Sequence, residues 1–290
     1  MNPSPKYKAE IQQMMFVSGE LADPLPEVTT LVEEIVRTQV IEMLTQATLL
    51  AQKRGARTIS TDELIFLIRH DKAKINRLRT YLSWKDVRKN AKEQEGVDEL
   101  GMEDGGTDAK VKVKRNKIKL PWEANMMFTE AIPEDDEEDE EEIEANYATL
   151  QRLKNADDRT RQMTRDEYVH WSECRQASFT FRKGKRFREW CGMANITESR
   201  PNDDIVDILG FLTFEIVATI TEEGLKVQKE LGEDTEVKVG EGLFVQEGEG
   251  KSPLQKKHIE EAYRRLQLPR GNQTLRNFRT GMAKCKIYLI

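Results

Sequence analysis

Two unusually long amphipathic stretches, residues 25–54 and 203–230, dominate this chain of 290 residues. In both stretches apolar residues recur every three or four positions, which is the spacing of one buried helix face. A helix of about 28 residues extends for ~42 Å, so it needs partners along its whole length. Shorter helical patterns precede and follow each long stretch, so a short–long–short set occurs twice. The sequence predicts an all-α protein in which the two sets cover each other's apolar faces.

The first set carries clear signals for helix ends. A short helix is predicted over about residues 8–18, and Gly19 follows it, where a left-handed residue commonly ends a helix. After the long stretch, Ser60 and Glu63 have the spacing of a capping box, which opens a third helix. One more helix is predicted over about residues 71–92, so the first set continues beyond its third helix.

The region before the second set contains two helical patterns. Thr164 and Glu167 have the spacing of another capping box, which predicts a helix over about residues 165–177. An earlier helix is predicted over about residues 143–155. Its apolar side chains on one face are those of Tyr147, Leu150 and Leu153.

The second set differs from the first by an insertion. Asn202 stands where it caps the long helix, and the last short helix is predicted over residues 254–268. Between them, residues 231–252 are rich in Gly and Glu and have no helical period. The apolar face of the first short helix is assigned to Phe181, Phe187, Trp190 and Met193.

Residues 95–142 are predicted to be a flexible linker between residues 1–94 and residues 143–290. Most of an acidic tract, residues 134–144, lies at its end, and ten of the eleven positions of this tract are acidic. The ten negative charges of this tract exceed the net charge of −6 of the whole chain, so the rest of the chain is mildly basic. The tract is either a solvated spacer or an arm that covers a basic surface.

A basic cluster earlier in the linker is either a nuclear localisation signal or solvated charge. It consists of Lys112, Lys114, Arg115, Lys117 and Lys119.

No pattern in the chain indicates catalysis. Phosphate-binding glycine loops, nucleophile elbows and zinc-protease motifs are all missing from the sequence. His170 and Cys174 share a helix face, but a structural zinc site needs four ligands. His70 and His258 are predicted to be surface residues. We therefore expect no enzyme, no cofactor and no metal, and no run of apolar residues is long enough to predict a membrane span.

A basic segment at the start of the second set is a candidate for phosphate contact, because neutralised phosphates dominate non-specific DNA affinity. The first set has no comparable segment, so direct DNA binding is not favoured. The residues concerned are Arg182, Lys183, Lys185 and Arg186.

Glu215 is the one charged residue in an otherwise apolar part of the second long helix. Helical rotation alone can point it at water. Alternatively, it emerges beside exposed Phe211 and Phe214, and a charge ringed by apolar surface suits partner recognition. Both readings treat Glu215 as solvent-exposed.

Several segments resemble known proteins. Residues 57–64 resemble the second loop and third-helix start of the histone fold. Further segments are similar to the Spt-three family (suppressor of Ty, three), a subunit of the SAGA transcription coactivator. These are residues 11–16, 69–74, 77–85, 157–161, 168–171, 176–183 and 207–215.

The resemblance implies two histone folds that pair within one chain as an intramolecular heterodimer. It also implies a nuclear coactivator subunit that recruits and positions the TATA-box-binding protein at RNA polymerase II promoters, beside other SAGA subunits, including histone-fold subunits. Glu215, with Phe211 and Phe214, is the candidate contact for that protein. Histone folds commonly tie this loop to the third helix by an Arg–Asp pair, for which Arg57 and Asp62 have suitable spacing. The alternative function is a histone-fold DNA-binding module.

Overall fold

The computed structural model describes residues 5–20, 23–98, 120, 140–161, 163–233, 252–268 and 287–290. All regular elements among these residues are helices, which confirms the predicted all-α class. They are α1 (Lys8–Val17), α2 (Pro26–Lys53), α3 (Thr61–Leu67), α4 (Lys72–Asp98), α5 (Glu140–Thr160), α6 (Arg165–Cys174), α7 (Gly184–Trp190), α8 (Met193–Ile196), α9 (Asp203–Glu230) and α10 (Lys256–Leu266).

The two long helices match the predicted stretches closely. Both α2 and α9 contain 28 residues. Pro26 occupies the first turn of α2, where its missing N–H costs nothing. The Asn202 side chain accepts the backbone N–H of Asp203 at 2.6 Å and so caps α9. Gly55 follows α2 with a φ of +79°, a conformation that suits glycine at a helix end.

The chain divides into two compact units. One unit comprises Met1–Leu64 and Asp157–Ile290, and the other comprises Ile65–Ala156. Both long helices belong to the first unit, whereas the second contains α4 and most of α5. The basic cluster in residues 112–119 and most of the predicted linker lie outside the described residues, although Leu120 is described and buried.

The core of the first unit lies where the two helix sets meet. Helix α2 contacts α9 directly, α1 contacts both, and α10 packs against α9 and α2. The apolar faces of the two long helices are therefore covered by elements from both sets, and burial of such surface is the main favourable term in folding. The large side chains fully buried there include Tyr7, Ile11, Met14, Met15, Leu44, Phe179, Phe187, Met193, Ile205 and Ile208.

Polar contacts join the two ends of the predicted insertion. The Gln228 amide donates to the Ser252 carbonyl at 2.8 Å, and the Ser252 hydroxyl donates to the Glu233 carbonyl at 2.6 Å. His258 is buried rather than on the surface, because its Nδ1 accepts the Gln255 N–H and its Nε2 lies 2.9 Å from the Glu233 carboxylate. Hydrogen bonds from Lys257 and His258 lower the pKa of Glu233. Residues 234–251 lie outside the described part of the chain.

One predicted apolar face and one residue of another are exposed, whereas Phe187, Trp190 and Met193 are buried. Phe181 is exposed because it lies in the loop before α7 and not on the helix itself. On α5, four large apolar side chains repeat at helical spacing and are between 49% and 67% exposed. We call this set the apolar stripe: Ile143, Tyr147, Leu150 and Leu153.

We predict that residues 234–251 can be replaced by a short Gly-Ser linker with little effect on stability. Glu233 and Ser252 already lie within hydrogen-bond distance, and the entropy of closing a loop grows only logarithmically with its length. The free energy of unfolding, measured by denaturant titration, should change by less than about 1 kcal/mol. A longer deletion that also removes Glu233 and Ser252 is the control, and it should destabilise the protein. Loss of soluble protein with the shorter replacement would contradict this expectation.

Candidate partner-binding site

Glu215 lies inside the first unit and not on its surface. Its side chain is 3% exposed, so the expectation of a solvent-facing charge is wrong. The reason is that α9 is enclosed on several sides: it contacts α1, α2, α7 and α10. A helix packed on so many faces has little surface left, and helical rotation does not bring this position to water.

The neighbours of Glu215 are also packed more tightly than a docking face requires. Phe211 and Phe214 are half-buried. A Cβ on Gly210 would clash with the Thr180 hydroxyl, so the loop before α7 approaches the α9 backbone closely there. The structure thus brings the three predicted site residues together on α9 but leaves the two aromatic residues only partly accessible.

The predicted Arg57–Asp62 pair is not formed: both residues are exposed, and no ion pair joins them in the described region. The buried carboxylate of Glu63 takes the structural role instead. It lies 2.9 Å from the Arg54 guanidinium and accepts the backbone N–H of Ser60 at 2.6 Å. The capping interaction of Glu63 turns it toward the end of α2, whereas the neighbouring Asp62 points to solvent.

The second predicted capping box is confirmed. The Thr164 backbone N–H donates to Glu167 at 2.7 Å, and the Thr164 hydroxyl accepts the Glu167 backbone N–H. The hydrogen bonds from Thr164 lower the pKa of Glu167. The start of α6 is therefore fixed as the sequence indicated.

Two of the four basic candidates contact residues of the first helix set. Lys183 forms an ion pair with Glu10 of α1 at 2.5 Å, and the Arg186 guanidinium lies 4.7 Å from the centre of the Tyr7 ring. Arg182 and Lys185 are exposed. The basic segment therefore joins the two helix sets through Lys183 and Arg186, although Arg182, Lys185 and Arg186 are all exposed.

A buried carboxylate that the sequence analysis missed connects the two sets. Glu33 of α2 is 6% exposed. It accepts the backbone N–H groups of Lys6 and Tyr7 and the indole N–H of Trp190, each at 2.9 Å. Arg37, one turn further along α2, donates to the Trp190 carbonyl at 2.9 Å. The only signal in the sequence is an acidic residue within the apolar stretch of a long helix.

Rings from both sets surround this carboxylate. Tyr7 lies 4.5 Å from Phe179 and 5.2 Å from Trp190 between ring centroids, and the Phe187 ring lies 5.7 Å from that of Trp190. Burial raises the pKa of the Tyr7 hydroxyl above its usual range and that of the adjacent Cys191 thiol to about 11. Both groups therefore stay protonated at neutral pH, which suits packing and not nucleophilic chemistry.

The described residues present no metal centre. His170 Nε2 lies 3.6 Å from the Cys174 sulfur, but no three His, Cys, Asp or Glu side chains gather around one point in these ranges. Likewise, none of the helices described combines the length and apolarity that crossing a membrane requires.

Comparison with known proteins agrees with this architecture. Residues 5–96 match the family model described as "Transcription initiation factor IID, 18kD subunit". A stretch of 98 residues is 36% identical to "Transcription initiation factor TFIID subunit 13" of Arabidopsis thaliana, over 34% of this chain and 76% of the relative. The fold and this match define a histone-fold protein of the type found in transcription factors.

Two relatives extend over nearly the whole chain. "SAGA complex subunit Spt3" of Schizosaccharomyces pombe is 55% identical over 98% of this chain and 97% of its own length. "SAGA complex subunit SPT3" of Saccharomyces cerevisiae is 49% identical over 97% of both chains. The chain therefore belongs to the Spt3 family.

We predict that two adjacent acidic residues differ sharply in their effect on stability. Glu63→Ala should cost about 1–3 kcal/mol, because it leaves the Arg54 guanidinium and the Ser60 N–H without their buried acceptor. Asp62→Ala, the matched control, should change the free energy of unfolding by less than about 0.5 kcal/mol. Chemical denaturation of the two variants measures both values, and equal effects would contradict the assignment of Glu63.

Proposed function

We propose that this chain is a nuclear subunit of a SAGA coactivator complex that binds the TATA-box-binding protein and positions it at RNA polymerase II promoters. The observation that carries the proposal is the similarity over nearly the full length to two proteins named as SAGA subunits. Those relatives are named as subunits of a complex, so the role we propose is one of binding and positioning, without catalysis.

We further propose that the two helix sets are histone folds that pair within the chain. The first set lies in the region matched by the 18 kD subunit family, and the second repeats its short–long–short order in α7, α9 and α10. Contacts of α1 and α2 with α9 and α10 in one compact unit support this pairing.

The apolar stripe on α5 supports a role as a subunit of a larger assembly. Large apolar side chains on the surface of an isolated soluble protein are usually scattered, and a contiguous set indicates an interaction site. Ile143, Tyr147, Leu150 and Leu153 occupy one helix face at spacings of three and four residues, so they form a continuous ridge. Other SAGA subunits are the proposed partners of this ridge.

We expect Leu150→Asp combined with Leu153→Asp to release the chain from the complex without unfolding it. Exposed positions tolerate substitution within about 0.5 kcal/mol, whereas a carboxylate in an apolar interface is strongly unfavourable. The full-length chain carries an affinity tag, and quantitative mass spectrometry measures the subunits that co-purify. Ala148→Asp, on another exposed face of α5, is the control and should retain them. If the double variant still co-purifies with the same subunits, the apolar stripe is not their binding site.

We assign the contact with the TATA-box-binding protein to the part of α9 around Phe211, Phe214 and Glu215. The match of residues 207–215 to the family segment supports this assignment. A DNA-binding partner has a basic surface, so a negative charge near aromatic rings is complementary to it. Because Glu215 is buried, we propose that the two half-buried rings make the contact and that the carboxylate acts only through its charge.

We predict that Phe214→Ala weakens binding of purified TATA-box-binding protein by roughly tenfold or more, the effect expected when an aromatic anchor is truncated. Tyr168→Ala, which removes an exposed ring on α6, should leave the affinity unchanged. Glu215→Gln keeps the size and removes the charge, and a thermal melt of each variant separates loss of contact from loss of fold. Undiminished binding by folded Phe214→Ala and Glu215→Gln variants would refute the assignment to α9. Tight DNA binding that falls steeply with salt would favour the DNA-binding alternative.

A further inference from the structure

Residues 287–290 form a short segment that side chains from both helix sets bind. Residues 287–290 run between α2 and α10, two helices that contact each other. All four side chains of this segment, Ile287, Tyr288, Leu289 and Ile290, are half-buried. The groove is therefore formed by one helix from each set.

Two glutamine side chains bind the backbone of the segment. Gln39, in the middle of α2, donates from Nε2 to the Tyr288 carbonyl at 2.9 Å and accepts the Ile290 N–H on Oε1 at 3.2 Å. Gln267, at the end of α10, donates to the same carbonyl at 2.9 Å and accepts the Tyr288 N–H at 2.8 Å. We call this pair of amides the backbone clamp.

The pattern of these bonds identifies what the clamp recognises. The N–H and C=O of Tyr288 and the N–H of Ile290 all face the glutamines, and residues two apart share one edge only in an extended chain. The two amides thus take the place of a neighbouring β-strand, which is how many domains bind extended peptides. The glutamines bind only main-chain groups of the segment, so any preference for its sequence must come from contacts of its apolar side chains.

The burial of Gln39 indicates that the groove is built for such a ligand. Gln39 is 0% exposed and lies among the buried residues Ile35, Val36 and Val40 of α2. A buried amide without hydrogen bonds is costly. In the described structure, the hydrogen bonds of the Gln39 side chain all go to residues 287–290. A site adapted only for packing would carry an aliphatic side chain at this position.

We propose that the groove between α2 and α10 is a binding site for an extended apolar peptide, and that residues 287–290 of the same chain are its resident ligand. Because the segment belongs to the same chain, its binding is intramolecular and it competes with any peptide added from outside. Occupancy ties the long helix of the first set to the last helix of the second.

The test uses proline substitutions in the full-length chain. Ile290→Pro removes the N–H that Gln39 accepts, whereas Leu289→Pro removes an N–H for which the described structure gives no acceptor. Both prolines are compatible with an extended preceding residue. Hydrogen exchange of the Tyr288 amide should accelerate by about tenfold or more with Ile290→Pro, because a buried acceptor loses its donor. Leu289→Pro should leave that rate within about twofold of the wild type.

A peptide added in trans tests the ligand class. A fluorescein-labelled peptide that ends in the sequence of residues 287–290 should bind the Ile290→Pro protein saturably, as measured by anisotropy. The wild-type chain should bind it at least roughly tenfold more weakly, because its own segment competes.

Adding Gln39→Leu or Gln267→Leu to Ile290→Pro should abolish binding, and a thermal melt verifies that each variant is folded. Gln267 is half-buried, so Gln267→Leu still provides the test if Gln39→Leu unfolds the chain. Equal exchange rates in the two proline variants, or peptide binding that survives loss of a clamp glutamine, would overturn the proposal.

Discussion

The carboxylate of Glu33, buried in the middle of the first unit, is the interaction on which the arrangement of the two helix sets depends. It accepts three N–H groups: two from the backbone just before α1 and one from the indole of Trp190 in the second set. A buried charge is tolerated only when it is fully hydrogen-bonded, and removing its partners typically costs about 3–5 kcal/mol. One side chain thereby fixes where α1 begins, where α7 ends and how both sit against α2.

Helix α2 uses its buried polar residues in a consistent way. Glu33 and Gln39 lie on the same helix, and each binds the backbone of a segment that is distant in the sequence, residues 6–7 and residues 288–290. Apolar packing alone is non-directional and permits helices to slide, whereas a hydrogen bond fixes position and register. The two polar positions therefore select one arrangement among the many that the apolar face of α2 would accept.

The sequence predicted most of the local structure because helix signals are local. The lengths of α2 and α9 follow from their apolar period, and the start of α6 follows from the spacing of Thr164 and Glu167. The position of Glu215 could not be predicted in this way, since periodicity identifies an apolar face but not how many neighbours surround a helix. Sequence spacing also could not decide between Asp62 and Glu63, because the path of the loop determines which carboxylate faces Arg54.

The first unit is assembled from residues on both sides of the segment 65–156, and this order sets a waiting time during synthesis. About 180 residues separate the end of α2 from the end of α9. At roughly 5–20 residues per second, the ribosome needs on the order of 10–40 s to supply the second long helix. During that interval the apolar face of α2, with Glu33 and Gln39 embedded in it, has none of its partners from the second set. Joining both sets in one polypeptide guarantees equal amounts of each, but the apolar face of every newly made α2 stays without its partners from the second set until that set emerges.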